Sequence, residues 1–188
     1  MDTYQAVHNL IVDTAAVQEV VRCDVPMLGA DWGARNEDAL IHTLGINLLA
    51  AMGRACGFLS LVEFPVPRAE RWQEKLVRVD SAWFDRSTRQ PVLLAEFERY
   101  SLNTVLHKLT NLYVAAHGCE SAPDVLLFCL WALDGEPVNA RWYEPGGVRP
   151  VSGGPAVAKP DRSKVLLAQA VFGRHRDVLH LLSLRRIA

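Results

Sequence analysis

VRVDSAWFDRSTRQPVLLAEFERY, residues Val77–Tyr100, decides how this chain is read. Two apolar runs flank a polar turn. Each run carries acidic residues where a buried strand would be apolar: Asp80 in the first, Glu96 and Glu98 in the second. The runs LVRVDSAWF and PVLLAEFERY read as strands. DRSTRQ between them reads as a hairpin-like connection with Asp85 as turn former. Side chains alternate across a strand, so Glu96 and Glu98 share one face with Leu94, while Leu93, Ala95 and Phe97 take the other. A hairpin register can then bring Asp80 beside Glu96 or Glu98.

Carboxylates that close raise one another's pKa, and burying them uncompensated is costly. Two remedies exist. One is a set of paired cations, for which Arg78, Arg99 and Lys108 are available. The other is a hard divalent ion, which takes carboxylate oxygens and water. A plainer alternative is a solvent-facing sheet whose acids pair with Arg78 or Arg99. Arg78 shares a face with Asp80, but Arg99 lies opposite Glu96 and Glu98, so these strands supply only partial pairing.

Working outward, EDALIHTLGINLLAAMGRAC predicts a helix with Leu40, Ile41, Leu44, Leu48 and Met52 near one stripe. Asn36 suits its N-cap, Glu37 and Asp38 its first turn, and Gly57 its end. FLSLVEFPVP predicts a strand stopped by prolines. SLNTVLHKLTNLYVAAHG predicts a helix capped by Ser101 and ended by Gly118, with Lys108 on the flank of its apolar face. DVLLFCLWAL predicts a strand buried on both sides. The order over residues 36–132 is therefore α-β-β-β-α-β. Around this core stand a helix over 4–22, a Gly/Pro-rich loop over 134–161, and an extension over 162–188. The extension reads as a helix to about Phe172 and then a strand or second helix. All 188 residues suit a single domain.

This pattern resembles the PD-(D/E)xK, or restriction-endonuclease-like, nuclease superfamily. Its core is an α/β fold of α-β-β-β-α-β order, with a mixed central sheet flanked by helices. Val79-Asp80 stands where the family has Pro-Asp, and Glu96-Phe97-Glu98 where it has Glu-x-Lys. Glu37 matches the extra acidic residue that many members contribute, although a first-turn helix acid is the simpler reading. The departure is Glu98 in the lysine position. Some restriction endonucleases of the superfamily carry Glu-x-Glu there, and Lys108 can reach back from the next helix.

The resemblance implies a metal-dependent nuclease, with DNA a more natural substrate than RNA. It implies Mg²⁺ or Mn²⁺ held by Asp80, Glu96 and Glu37. Glu98 or Lys108 would orient or deprotonate the attacking water. It also implies a homodimer, since two sites are often needed to cut both strands. The variant motif keeps an alternative open: an inactive module of the same fold that binds nucleic acid or protein.

The rest of the chain constrains these expectations. Net charge is −1 and the pI about 6.6, which is not the signature of a protein that coats nucleic acid. A positive excess does gather in the last quarter, with Arg141, Arg149, Lys159, Arg162, Lys164, Arg174, Arg176, Arg185 and Arg186. Cys23, Cys56, Cys119 and Cys129 form no metal-ligand spacing, and free thiols fit a reducing, cytoplasmic setting. Neither a signal peptide nor an apolar run of membrane length is read, so no membrane partner is expected. The histidines show no HExxH spacing, and no nucleophile elbow or phosphate-binding glycine loop is present. Glu63, in the first strand, is a second acidic candidate.

Overall fold

The computed structural model describes residues 2–30, 38–67, 76–143, 147–148, 156–175 and 178–188, with the side chains of 38, 39, 147 and 148 excepted. The chain opens with two helices, α1 (Thr3–Val12) and α2 (Thr14–Asp24), followed by α3 (Asp38–Ala55). Three strands come next: β1 (Leu59–Pro67), β2 (Leu76–Phe84) and β3 (Pro91–Arg99). Then come α4 (Leu102–Gly118) and β4 (Val125–Leu133). Two-residue strands β5 (Gly147–Val148) and β6 (Val157–Ala158) lie in the Gly/Pro-rich stretch. β7 (Lys164–His175) and β8 (Val178–Arg186) close the chain.

Six strands form one mixed sheet in the order β1-β2-β3-β4-β7-β8. The β1–β2, β2–β3 and β7–β8 pairs are antiparallel, and β3–β4 and β4–β7 are parallel. A parallel neighbour needs a crossover, and α4 supplies the one from β3 to β4. β4 is buried along nearly its whole length, as a strand covered on both faces must be. β1 lies at an edge, where Pro65 leaves no interior ladder bond unmade.

Two apolar clusters sandwich the sheet. On one side α1, α2 and α3 pack over Trp83, Phe97, Trp131 and Phe172. On the other, α4 packs over Val79, Leu94, Phe128 and Leu167. Described residues of the Gly/Pro-rich stretch join this second layer. Trp142, Tyr143 and Val157 join its cluster, Trp142 meets Phe128 edge-on, and His117 Nε2 lies 2.9 Å from the Ala158 carbonyl.

Local chemistry explains the element ends. α3 stops in a Schellman motif: Phe58 N–H donates to the Gly53 carbonyl, Gly57 N–H donates to that of Arg54, and Gly57 takes φ 88. Asp85 Oδ1 organises the β2–β3 turn by accepting from Ser87 N and Thr88 N at 2.9 and 2.7 Å. The Ser87 hydroxyl, which donates to the same oxygen at 2.5 Å, and then these backbone bonds hold the Asp85 carboxyl down at about 2. At α4, Ser101 takes the cap position, but its hydroxyl pairs with that of Thr104 rather than with a backbone N–H.

Two expectations are corrected. The single helix over 4–22 is two helices. Asp13 ends α1 with its backbone and caps α2 by accepting from Ala16 N–H, an interruption that apolar spacing alone does not reveal. The extension over 162–188 is a pair of long strands, not a helix followed by another element. Its continuous apolar run, VLLAQAVF, fits a helix or a doubly covered strand equally well by period. Pairing to β4 decides for the strand. The described residues of the 134–161 stretch include a short 3-10 turn at Ala140–Trp142 and the β5–β6 pair. Among the described residues, no helix is long and apolar enough to cross a membrane.

Candidate functional site

The β2–β3 ladder runs from Phe84↔Pro91 to Ser81↔Ala95 and stops there. β3 continues beside β4, so the Phe97 N–H is left facing a strand that has moved away. A buried N–H needs an acceptor. The Asp80 side chain provides it, with Oδ2 2.7 Å from Phe97 N. Asp80 is thereby fixed in the gap between the two strands, almost fully buried.

The backbone of this region departs from simple alternation. Val77 and Val79 pack into the α4-side core, but so does Ala82, and Trp83 packs on the opposite side. The period slips between 79 and 82. Across the β1–β2 ladder, the Val62↔Ser81 and Phe64↔Val79 pairs flank Glu63, which holds φ 50. That conformation is uncommon for a side chain with a Cβ, and local irregularities of this kind re-aim side chains at a strand. Here it brings Glu63 and Asp80 together.

Helices complete the site from both layers. α4 sends Lys108 to the carboxylates. Its Nζ lies 3.0 Å from Glu96 Oε2, 3.6 Å from Glu98 Oε2 and 3.9 Å from Asp80 Oδ1. α3 sends His42, whose Nε2 lies 3.9 Å from Asp80 Oδ1. Gly45 stands about one turn further along α3. A Cβ there would overlap the Phe97 ring, so the bare glycine lets α3 approach β3 closely enough for His42 to reach Asp80.

Glu96 is the electrostatic centre. It is wholly buried, and its Oε1 has no hydrogen-bond partner. Burial pushes its carboxyl well above the usual range and the nearby Asp80 charge adds to this, while the Lys108 ammonium opposes both. For Lys108, burial acts downward, but the Glu96 and Asp80 charges outweigh it and hold the ammonium above its ordinary value. Among the described residues, the single Lys108 ammonium lies within 4 Å of all three acids, Asp80, Glu96 and Glu98.

The structure thus brings Asp80, Glu96, Glu98 and Lys108 into one constellation. Glu37 lies outside the described residues. Sequence reasoning missed His42. It stands in no ligand spacing, and its only local signal is a position on the same helix as Gly45. Glu63, the second acidic candidate, joins His42 and Asp80 in a group whose donor atoms all lie within 4.8 Å of one another. This group fits a divalent ion: it combines an imidazole nitrogen with two carboxylates, and Glu96 beside it has an unused buried oxygen.

Other polar groups are engaged away from this site. His107 is exposed on α4, 3.3 Å from the Asn111 amide. Arg99 lies over the Trp131 ring. Arg185 donates to Gln169 Oε1 at 3.2 and 2.9 Å, and Arg162 pairs with Asp124. Compared with known proteins, the chain matches no family model and no curated protein sequence.

Proposed function

We propose that this protein is a metal-dependent nuclease that hydrolyses phosphodiester bonds, with DNA favoured over RNA. The single observation that carries this reading is the buried Glu96 carboxylate, bridged to Asp80 and Glu98 by Lys108 at the point where β2 and β3 part. The α-β-β-β-α-β order of α3 to β4 supports it, since it resembles the restriction-endonuclease-like core.

Asp80 and Glu96 are the proposed ligands for Mg²⁺ or Mn²⁺. A bound divalent ion would supply a Lewis acid for the phosphoryl oxygen and a water of lowered pKa. The chain's own groups do the rest. Asp80 is held in one orientation by the Phe97 N–H, which keeps a carboxylate oxygen directed at the site. Glu98 occupies the position where the superfamily has lysine, and Lys108 brings an ammonium to the same place from α4. Its charge lies where a phosphate's negative oxygens would be balanced. Glu98, the more exposed of the two β3 acids, is placed to accept a proton from water.

The test is incubation with supercoiled plasmid, single-stranded DNA and RNA in Mg²⁺ or Mn²⁺, with EDTA and Glu96→Gln as controls. Cutting that both controls abolish is the expected result. Cutting that survives Glu96→Gln would remove this site from the chemistry.

A second reading is a catalytically inactive module that keeps the fold for binding nucleic acid or protein. The observation favouring it is Lys108 itself, which already neutralises part of the acidic cluster. Mn²⁺ separates the two readings. A ligand that binds only the folded state raises stability by mass action, so an inactive module without a metal site would show no Mn²⁺-induced shift.

A further inference from the structure

We infer that His42, Glu63 and Asp80 form a cation site selective for Mn²⁺- or Zn²⁺-class ions over Mg²⁺. The inference deepens the nuclease reading and rests on it for the site's catalytic role, while cation binding itself is measured separately.

Three elements distant in sequence converge here: α3 with His42, β1 with Glu63 and β2 with Asp80. Their donor atoms lie within 4.8 Å of one another. Two donors each about 2.1 Å from an ion stand at most about 4.2 Å apart, so small side-chain rotations close the set. Asp80 cannot drift, because the Phe97 N–H holds its Oδ2. Its Oδ1 lies 3.9 Å from His42 Nε2 and 3.9 Å from Lys108 Nζ.

A second observation points to a cation here. Glu96, which shares the Lys108 ammonium with Asp80, is wholly buried with Oε1 unpartnered. Buried carboxylate oxygens are rarely left without a donor or a cation. Glu63 also adopts an uncommon positive φ in the strand facing Asp80, where ordinary alternation would not require it.

The donor set names the cation class. Mg²⁺ prefers an all-oxygen octahedron and keeps several waters. Imidazole nitrogen suits Mn²⁺, Fe²⁺ and above all Zn²⁺ better. Burial falls from Asp80 through His42 to the exposed Glu63, so the open side leaves positions for water or substrate.

The experiment uses the full chain stripped with EDTA. Free Mn²⁺ is followed by electron paramagnetic resonance. Thermal shifts are recorded with Mn²⁺, Zn²⁺ and Mg²⁺ for the wild type, His42→Ala, Glu63→Gln and, as control, His107→Ala. Circular dichroism confirms that each variant is folded, and His42→Gln replaces His42→Ala if the latter is not. The expected result is Mn²⁺ binding weakened at least about tenfold by either ligand variant and unchanged by His107→Ala, with a smaller shift in Mg²⁺. Equal Mn²⁺ affinity in all variants, no binding of Mn²⁺ or Zn²⁺, or a larger response to Mg²⁺ overturns the proposal. Binding that depends on His42 without any DNA cleavage would leave the cation site standing and remove the nuclease reading. Cleavage indifferent to His42 would leave the nuclease reading standing and overturn the site's catalytic role.

Discussion

Asp80 Oδ2 accepts the Phe97 backbone N–H at 2.7 Å, across the opening where β2 leaves β3. One side chain thus repairs the sheet and aims its second oxygen at the neighbouring acids, His42 and Lys108. These two tasks separate by substitution. Asp80→Ala strands a buried N–H and is expected to cost about 1–3 kcal/mol in urea denaturation. Asp80→Asn keeps a carbonyl acceptor and removes the charge. It is expected to unfold near the wild-type midpoint while losing Mn²⁺ binding and cleavage. Equal destabilisation by both variants would refute the division.

Lys108→Met should produce a pH-dependent loss of stability. Glu96 has a raised folded pKa, so the stability it contributes is full below its ordinary value of 4.5 and is lost as pH rises through the folded value. Lys108 counters that loss in the wild type, and its own contribution persists until well into the alkaline range. Removing the ammonium leaves a buried carboxyl with no cation. The deficit of Lys108→Met is expected to reach about 3 kcal/mol at pH 8 and to shrink toward pH 5. A deficit that is flat over that window would show that Glu96 does not titrate there.

Gly45→Ala tests the close approach of α3 to β3. The added methyl overlaps the Phe97 ring, and overpacking of this kind costs about 1–3 kcal/mol. The helix must move outward and carry His42 away from Asp80. Mn²⁺ affinity should therefore fall together with the melting temperature. An exposed control, Asn47→Ala on the same helix, should leave the metal affinity alone.

Thiol labelling should report the burial pattern. Cys23 is exposed, whereas burial pushes Cys119 up to about 11, raises Cys56, and raises wholly buried Cys129 still further. The Glu19 carboxylate accepts from the Cys23 thiol and slows it somewhat. Even so, iodoacetamide on the native protein is expected to modify Cys23 first, read by peptide mass. Rapid labelling of Cys129 would mean that the β4 core opens readily.

The strands around the acidic cluster were legible because their signals are local. LVRVDSAWF, PVLLAEFERY and DVLLFCLWAL appear as β2, β3 and β4 with almost the expected ends, and the intervening helix appears as α4. Period-2 alternation placed Glu96 and Leu94 on one face, and helical phase put Lys108 at the edge of the apolar stripe. The tail was harder. An apolar run that is buried on every side carries no period, so VLLAQAVF could not declare itself a strand without β4 beside it. The break at Asp13 was also hidden, since one capping residue outweighed the continuous apolar spacing around it.

What the sequence determined by itself was the run of elements from α3 to β4 and the identity of the acids on β2 and β3, because hydrophobic period and turn chemistry act over a few residues. What only the tertiary structure decided was which groups meet. His42, Glu63 and Asp80 share no spacing that a motif could record. They come together because α3 packs tightly over Gly45, Glu63 takes a rare backbone conformation, and β2 parts from β3 at Ser81. Convergence of that kind is a property of packing between elements, where the free energy of contact depends on distance in space rather than on separation along the chain.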